Sequence, residues 1–264
     1  MNHNDGSLFP MKISATIITL NEEENIAEAI STLTFADEIV VVDSESTDRT
    51  VEIACQLGAR VMVQKWLGYA AQKNFAAEQA AHDWVFNLDA DERVTPELAK
   101  EIAELKQQQN PDIAAFQMPR RVFYLGKWIQ HSGWYPDYKI RLYNRTQAEW
   151  QGDYVHESVK TKGKVARLTG DLLHYTIRHA SEHHLRMDRY TTLAAAEAHA
   201  QGKRASLLAM LVAPLAAFLK SYIFKRGFLD GVQGLAIACF AAHYVFLKNL
   251  KLWEKQRASV DENR

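Results

Sequence analysis

Four short apolar runs constrain this chain more than any other feature of its sequence: each closes on a polar or acidic cluster, and a helical stretch separates it from the next. Ile13 to Leu20 is β-branched and too short for a typical helix, which predicts a buried strand. Asn21 follows in position to cap a helix, with Glu24 completing a capping-box-like pair and Ile26, Ile30 and Leu33 forming the inner face. Glu38 to Val42 predicts a second strand ending at Asp43, and Ser44 to Thr50 leads into a helix that Gly58 terminates. Arg60 to Gln64 makes a third strand, Gly68 to Ala81 a helix, and Trp84 to Leu88 a fourth strand ending at Asp89-Ala90-Asp91-Glu92. Thr95-Pro96 sets a cap residue before a proline at the first helical position, starting a helix through about Gln107. Such alternation implies right-handed βαβ units and a mostly parallel sheet, whose ligands sit at the carboxyl ends of the strands. Asn21, Asp43 and Asp89 to Asp91 fall at those ends, so three clusters distant in sequence are expected in one crevice.

What that crevice binds is narrowed by what it lacks. The first βα turn, Thr19 to Glu23, has no glycine, whereas close approach of backbone to a pyrophosphate normally needs GxGxxG or a P-loop; dinucleotide and ATP folds of those kinds are disfavoured. Asp89 and Asp91 can instead reach a hard divalent cation that bridges diphosphate oxygens. A phosphatase of the haloacid-dehalogenase type would place such a pair at the first strand, with Thr or Val where this chain has Arg93. Cys55 and Cys239 lie far apart without metal spacing, which argues for a reducing compartment and no zinc site. With 31 basic and 32 acidic side chains, nothing points to a nucleic-acid partner.

From about 113 to 175 the pattern becomes aromatic and strand-like, with strands expected at Ala114 to Met118, Lys139 to Tyr143 and Val165 to Leu168. Trp128, Trp134, Tyr135, Tyr138 and Trp150 beside Arg120, Arg121 and Arg141 would suit a sugar, although hydrophobic packing explains any one aromatic equally well.

Three segments carry a specific resemblance. Ala15 to Asn25 (ATIITLNEEEN), Val40 to Asp48 (VVVDSESTD) and Phe86 to Glu92 (FNLDADE) resemble the signature segments of inverting family 2 glycosyltransferases with the GT-A fold. Over nearly its whole length, including the Trp-Tyr-Pro-Asp, Val-His-Glu and Leu-Leu-His-Tyr segments, the chain is similar to bacterial lipopolysaccharide inner-core β-1,4-glucosyltransferases. The resemblance implies an α/β, Rossmann-like sheet with a C-terminal helical appendage. It also implies a UDP-sugar donor, a divalent cation (Mn²⁺ or Mg²⁺) and a lipid-linked saccharide acceptor. Thr19, Asn21 and Glu22 would line the nucleotide pocket, and Asp43 would accept from the N3–H of uracil. Asp89 would lie near the ribose or diphosphate, Asp91 would bind the metal, and Lys73 and Asn74 would touch the donor.

Displacing a nucleotide diphosphate from an anomeric carbon concentrates negative charge that a divalent ion neutralises, while the attacking hydroxyl needs a base on the opposite face of the ring. Glu157 in Val-His-Glu is the leading candidate base and Asp137 the second. The alternative for Glu157 is a structural ion pair with Arg141 or Arg121. His156 would orient the base or meet the acceptor; His174 is a candidate third metal or diphosphate ligand, against the plainer reading of a satisfied side chain. His179, His183 and His184 read as a solvated helix start. Arg120, Arg121 and Arg141, with Trp134 and Tyr135, would meet an acidic or phosphorylated acceptor, or simply balance the acidic crevice. A polyprenyl-phosphate sugar transferase and a non-catalytic membrane scaffold retaining the fold stay open as alternatives.

Charge is unevenly divided: residues 203–264 carry ten Lys/Arg and four Asp/Glu, net +6, leaving −7 for residues 1–202. Ala205 to Leu219 and Phe228 to Leu247 are largely apolar, yet neither is a comfortable crossing by the criterion of about 20 apolar residues without charges. Flanked by Lys220, Lys225, Arg226, Lys248 and Lys251, they suit helices lying on an anionic membrane or joining copies of the chain. The expected organisation is a leader at 1–10, a catalytic domain at 11–180 (donor half 11–110, acceptor half 111–180) and a basic helical tail at 181–264. Without an apolar run of a secretory signal at its start, the chain is expected peripherally on the cytoplasmic side of the inner membrane.

Overall fold

The computed structural model describes residues 11–108, 112–152 and 157–261; the expected leader lies outside them. The chain divides into two compact units, one reaching to Arg120 and including Asp137–His174, the other comprising Arg121–Pro136 and the chain from Tyr175 onward.

In the first unit, β1 (Ile13–Thr19) is buried along its whole length, as a strand covered on both faces must be. It lies parallel to β2 (Glu38–Asp43) and β4 (Trp84–Asp89), with β3 (Arg60–Val63) parallel to β2. The crossovers carry α1 (Ile26–Ser31), α2 (Thr50–Gln56) and α3 (Tyr69–Gln79). Register decides the site: Thr19 pairs with Asp43 and Ile18 with Asp89, so the polar strand ends share one edge of the sheet. Beyond a short β5 (Glu92–Val94), α4 (Pro96–Leu105) starts at Thr95, whose hydroxyl accepts from the Leu98 amide at 3.3 Å. Leu98 and Ile102, one turn apart, bury against Ile13, Ile17, Phe86 and Leu142.

Antiparallel strands extend the sheet. β6 (Ile113–Tyr124) pairs with β8 (Asp137–Asn144), which pairs with β4; between them in sequence lies β7 (Lys127–Trp128). β9 (Ala148–Gln151) and β10 (Ser158–Thr161) form a separate ribbon. β11 (Lys164–Arg167) pairs with β6, and β12 (Leu172–Ile177) with β5, giving the order β3-β2-β1-β4-β8-β6-β12-β5. The expected strands near 114, 139 and 165 are present, the first two longer than expected.

One local expectation is overturned. Asn21 does not cap a helix: it sits at φ 54°, and α1 begins at Ile26 after Asn25. Its left-handed backbone, which asparagine tolerates, turns its amide toward the neighbouring strand end.

The second unit is helical. α5 (Ala180–Ala200) and α6 (Leu207–Leu219) both pack against α7 (Val232–Asp261); a π-helical turn (Lys220–Phe224) and a 3₁₀ turn (Gly227–Asp230) precede α7. Asp230, nearly fully buried, accepts from the backbone amides of Gln130 and His131 and pairs with the His131 ring, fastening the 3₁₀ turn to the segment after β7. Tyr124 contacts the Trp134 and His183 rings, its hydroxyl 2.8 Å from His183 Nδ1, and Phe240 stacks on His183. The expectation of a solvated histidine cluster therefore fails at His183: burial pushes its pKa down to about 4. Trp128 packs against Phe123 and Tyr175. By length and composition Leu207–Phe224 and Val232–Ala258 would each be long and apolar enough to cross a membrane.

Thr95→Ala should lower stability by about 1–2 kcal/mol in urea unfolding, with Thr95→Ser keeping most of it, because the hydroxyl both caps the Leu98 amide and donates to the Asp171 carbonyl at 2.9 Å.

Candidate active site

The strand ends are tied to one another through side-chain to backbone hydrogen bonds. Asn21 Oδ1 accepts from the Thr47 amide at 2.8 Å, and the Asn21 amide donates to Ser46 Oγ at 2.8 Å. Asp43, nearly fully buried, accepts from the Ser46 amide through Oδ2 and from the Ser46 hydroxyl through Oδ1. Glu22 donates its amide to Thr50 Oγ1 and accepts from Asn25 Nδ2 at 2.7 Å. Thr19 Oγ1 is buried and without a hydrogen-bond partner among the described residues.

Asp89 sits between two buried cations. Lys73, from α3, places Nζ 2.9 Å from Oδ1, and Arg141, from β8, places Nη2 2.6 Å from Oδ2. The same Nη2 lies 2.6 Å from Glu92 Oε1, and Arg141 Nη1 donates to Asn87 Oδ1. Both cations lie over the Trp150 ring, at 4.2 Å for Lys73 and 5.7 Å for Arg141. Burial would raise the Asp89 carboxyl, but Arg141 and then Lys73 overcome it and hold the group far below the usual carboxylate range.

Asp91 faces another direction. Its Oδ2 lies 3.1 Å from His174 Nε2, and His174 Nδ1 is buried with no partner among the described residues. Burial pushes the Glu22 carboxyl up; the Asn25 donor opposes this and the like charge of Asp91 adds to it. Among the described residues no group of three or more His, Cys, Asp or Glu forms a metal cage. Asp91 Oδ2 and His174 Nε2, in hydrogen-bond contact at 3.1 Å, are nonetheless donor types that a divalent ion takes. Carboxylate and imidazole would supply part of its shell and leave the remainder to phosphate oxygens and water, the usual division for such ions beside a nucleotide.

Glu157 is three-quarters or more buried; its Oε1 lies 3.8 Å from Lys73 Nζ, and its Oε2 is buried with no partner among the described residues. Its ion-pair partner is thus Lys73, a residue the sequence reading assigned to the donor. Asp137 is held by Arg120 at 2.8 Å and Lys139 at 3.1 Å, and Arg120 also reaches Glu92 at 3.4 Å. Asn74 uses both ends of its amide on the Trp150 backbone, securing β9 to α3. Asp43, Asp89, Asp91, Lys73, Arg141, His174 and Glu157 all belong to the first unit. Arg121, Trp134 and Tyr135 belong to the second, where the Arg121 guanidinium lies 5.3 Å from the Tyr135 ring centre. His156 lies outside the described residues. Sequence reasoning gave no role to Glu92 and read Trp150 only as one of several aromatics suited to a sugar, whereas its ring lies against Lys73 and Arg141; the one signal for Glu92 was its place directly after the acidic pair.

The model of the family described as "Glycosyl transferase family 2" matches residues 14–161. An uncharacterized glycosyltransferase of Rickettsia typhi is 36% identical over 256 residues, covering 92% of this chain and 87% of the relative. The lipopolysaccharide core biosynthesis glycosyltransferase LpsC of Rhizobium meliloti is 33% identical over 263 residues, covering 96% and 97%. Among solved structures, a mannosyltransferase from Pyrobaculum calidifontis, in complex with GDP-Man and Mn²⁺, aligns over 94% of this chain and 90% of its own with a TM-score of 0.51 and 16% identity, a likeness of fold. The fold is accordingly GT-A.

Arg141→Met should cost about 3–5 kcal/mol at neutral pH, since it leaves Glu92 and Asp89 without their shared cation. Asp89 has a folded-state pKa below its unfolded value, so its contribution is present above about pH 3.9 and lost as pH falls from there toward the folded value. The deficit of the variant, measured by urea unfolding, should narrow below about pH 4.

Proposed function

The chain belongs to glycosyl transferase family 2, and from that premise we propose that it is a metal-dependent, inverting enzyme that moves glucose from UDP-glucose onto a lipid-linked saccharide of the lipopolysaccharide inner-core type. It is a glycosyltransferase related to a lipopolysaccharide core biosynthesis glycosyltransferase. The observation that carries the finer reading is the single lysine, Lys73, lying between Asp89 and Glu157. Lys73 thereby joins a carboxylate of the acidic pair to Glu157, the candidate base.

In this reading Thr19, Asn21, Glu22 and Asp43 line the nucleotide pocket. The two oxygens of Asp43 each accept one bond from Ser46, and a carboxylate offers about four lone-pair sites, so an acceptor remains for uracil N3–H. Asp91 and His174 would hold the divalent cation, Mn²⁺ or Mg²⁺, which when bound neutralises charge on the departing diphosphate. Asp89, kept anionic and oriented by Arg141 and Lys73, fixes the loop that carries Asp91. Glu157 takes the proton of the attacking acceptor hydroxyl as that oxygen bonds to the anomeric carbon and the bond to UDP breaks, inverting the configuration. Asp137, held by Arg120 at 2.8 Å and Lys139 at 3.1 Å, is the second candidate because its carboxylate is already engaged by two side chains. The reaction runs at the cytoplasmic face of the inner membrane; Arg120 is a candidate acceptor contact on the first unit, and Arg121, Trp134 and Tyr135 are candidates on the second. Relatives support this reading: the name of LpsC refers to lipopolysaccharide core biosynthesis, and the mannosyltransferase of the same fold is in complex with GDP-Man and Mn²⁺.

Glu157→Gln should lower transfer by about 10²–10⁴-fold while leaving UDP affinity in calorimetry nearly unchanged. Loss of both together would assign Glu157 to folding, and full activity would point to an acceptor that needs no protein base, such as a lipid phosphate. A screen of nucleotide sugars against membrane glycolipid extract, read by mass spectrometry, should give a product only with UDP-glucose.

A further inference from the structure

The outward face of α6 is inverted relative to a helix exposed to water. Leu207, Leu208, Leu211, Val212, Leu215 and Leu219 are all exposed, Leu207 at 75%, Leu211 at 69% and Leu215 at 66%. Their spacing places them along one side of the helix, opposite the buried Met210. A surface helix normally turns polar residues outward, and an apolar stripe there marks an interaction face. The stripe continues through the π-helical turn to Ile223 and to Phe224, 78% exposed, and on to Phe228 and Leu229.

Charge indicates what covers it. Between Glu197 and Asp230 the sequence has no acidic residue, whereas Lys203, Arg204, Lys220, Lys225 and Arg226 bracket the stripe, all of them exposed. Apolar side chains rimmed by cations alone match a layer of hydrocarbon beneath anionic headgroups.

Packing sets how deep the face can go. α7, against which α6 lies, also lies against α5, where Lys251 joins Asp188 at 2.6 Å. α5 exposes Arg186, Asp188, Arg189 and Glu197 along its length. Gln256 of α7 bonds the Lys203 carbonyl at 2.8 Å, so the start of α6 is fixed to this polar layer. A helix joined sideways to such charges cannot cross hydrocarbon without taking them along. We propose that the outer face of α6 and its π-helical turn docks flat into the headgroup boundary of an anionic bilayer, with Lys220, Lys225 and Arg226 among the phosphates. This goes beyond the transfer reaction, and none of these residues belongs to the donor site; vesicle binding and catalysis can therefore fail separately.

Co-sedimentation of the full chain with vesicles of phosphatidylcholine, alone or mixed with phosphatidylglycerol, tests the proposal. Wild type should bind the anionic vesicles, weaken in high salt and be released by alkaline carbonate. Leu211→Glu with Leu215→Glu should lower binding at least about tenfold. Lys220→Gln, a surface change that leaves the stripe intact, should lower it about fivefold on anionic vesicles only. UDP affinity and circular dichroism should match wild type in both variants. Absence of binding to anionic vesicles would overturn the proposal, as would retention through alkaline carbonate, which means a spanning helix. Light scattering that shows a dimer abolished by the Leu variants, with vesicle binding unchanged, would assign the face to a second copy.

Discussion

The site depends on the contact of one guanidinium with two carboxylates. Arg141 is buried, and its Nη2 lies 2.6 Å from both Asp89 and Glu92. An arginine in that position cannot shed its charge, so the two acids must remain beside it or leave a bare cation in the interior. The consequence is geometric: Asp89 ends β4, Glu92 opens β5, and the turn between them, which carries Asp91, is held at both ends. Burial of such a cluster contributes little net stability by itself. Its value is the fixed direction of Asp91.

Topology brings the cations there. Lys73 comes from the helix before β4, whereas Arg141 comes from β8, which joins β4 antiparallel after more than forty intervening residues. The parallel strand β4 therefore supplies Asp89, whereas Glu92, on β5, and the counter-charge of Arg141 both come from antiparallel strands. Trp150, anchored by Asn74, places an aromatic face against both cations and excludes water from that side. Lys73 also reaches Glu157, so a displacement of the lysine would be felt by both carboxylates.

Much of this was legible in the sequence because it depends on local pattern. Short apolar runs ending in Asn21, Asp43 and Asp89 fixed the strands and their polar ends, and Thr95-Pro96 marked the start of α4. What stayed hidden depends on distant partners. Nothing near Arg141 reveals that it would meet Asp89 and Glu92; the antiparallel pairing of β8 with β4 decides that. Asn21 matched a helix cap by type, but the turn after Asp43 offered its amide better bonds, and its backbone moved to the left-handed region. His183 looked solvated beside other histidines until Tyr124 and Phe240 enclosed it.

The proposed function turns on whether the acidic turn that carries Asp91 takes up a divalent ion together with a nucleotide diphosphate. Titration of Mn²⁺ followed by electron paramagnetic resonance, with and without UDP, on wild type and Asp91→Asn, tests this most directly. UDP should tighten Mn²⁺ binding by about tenfold or more, and Asp91→Asn should remove that gain while leaving the fold intact. Mn²⁺ binding indifferent to UDP, or coupling of equal size in the Asp91 variant, would contradict it.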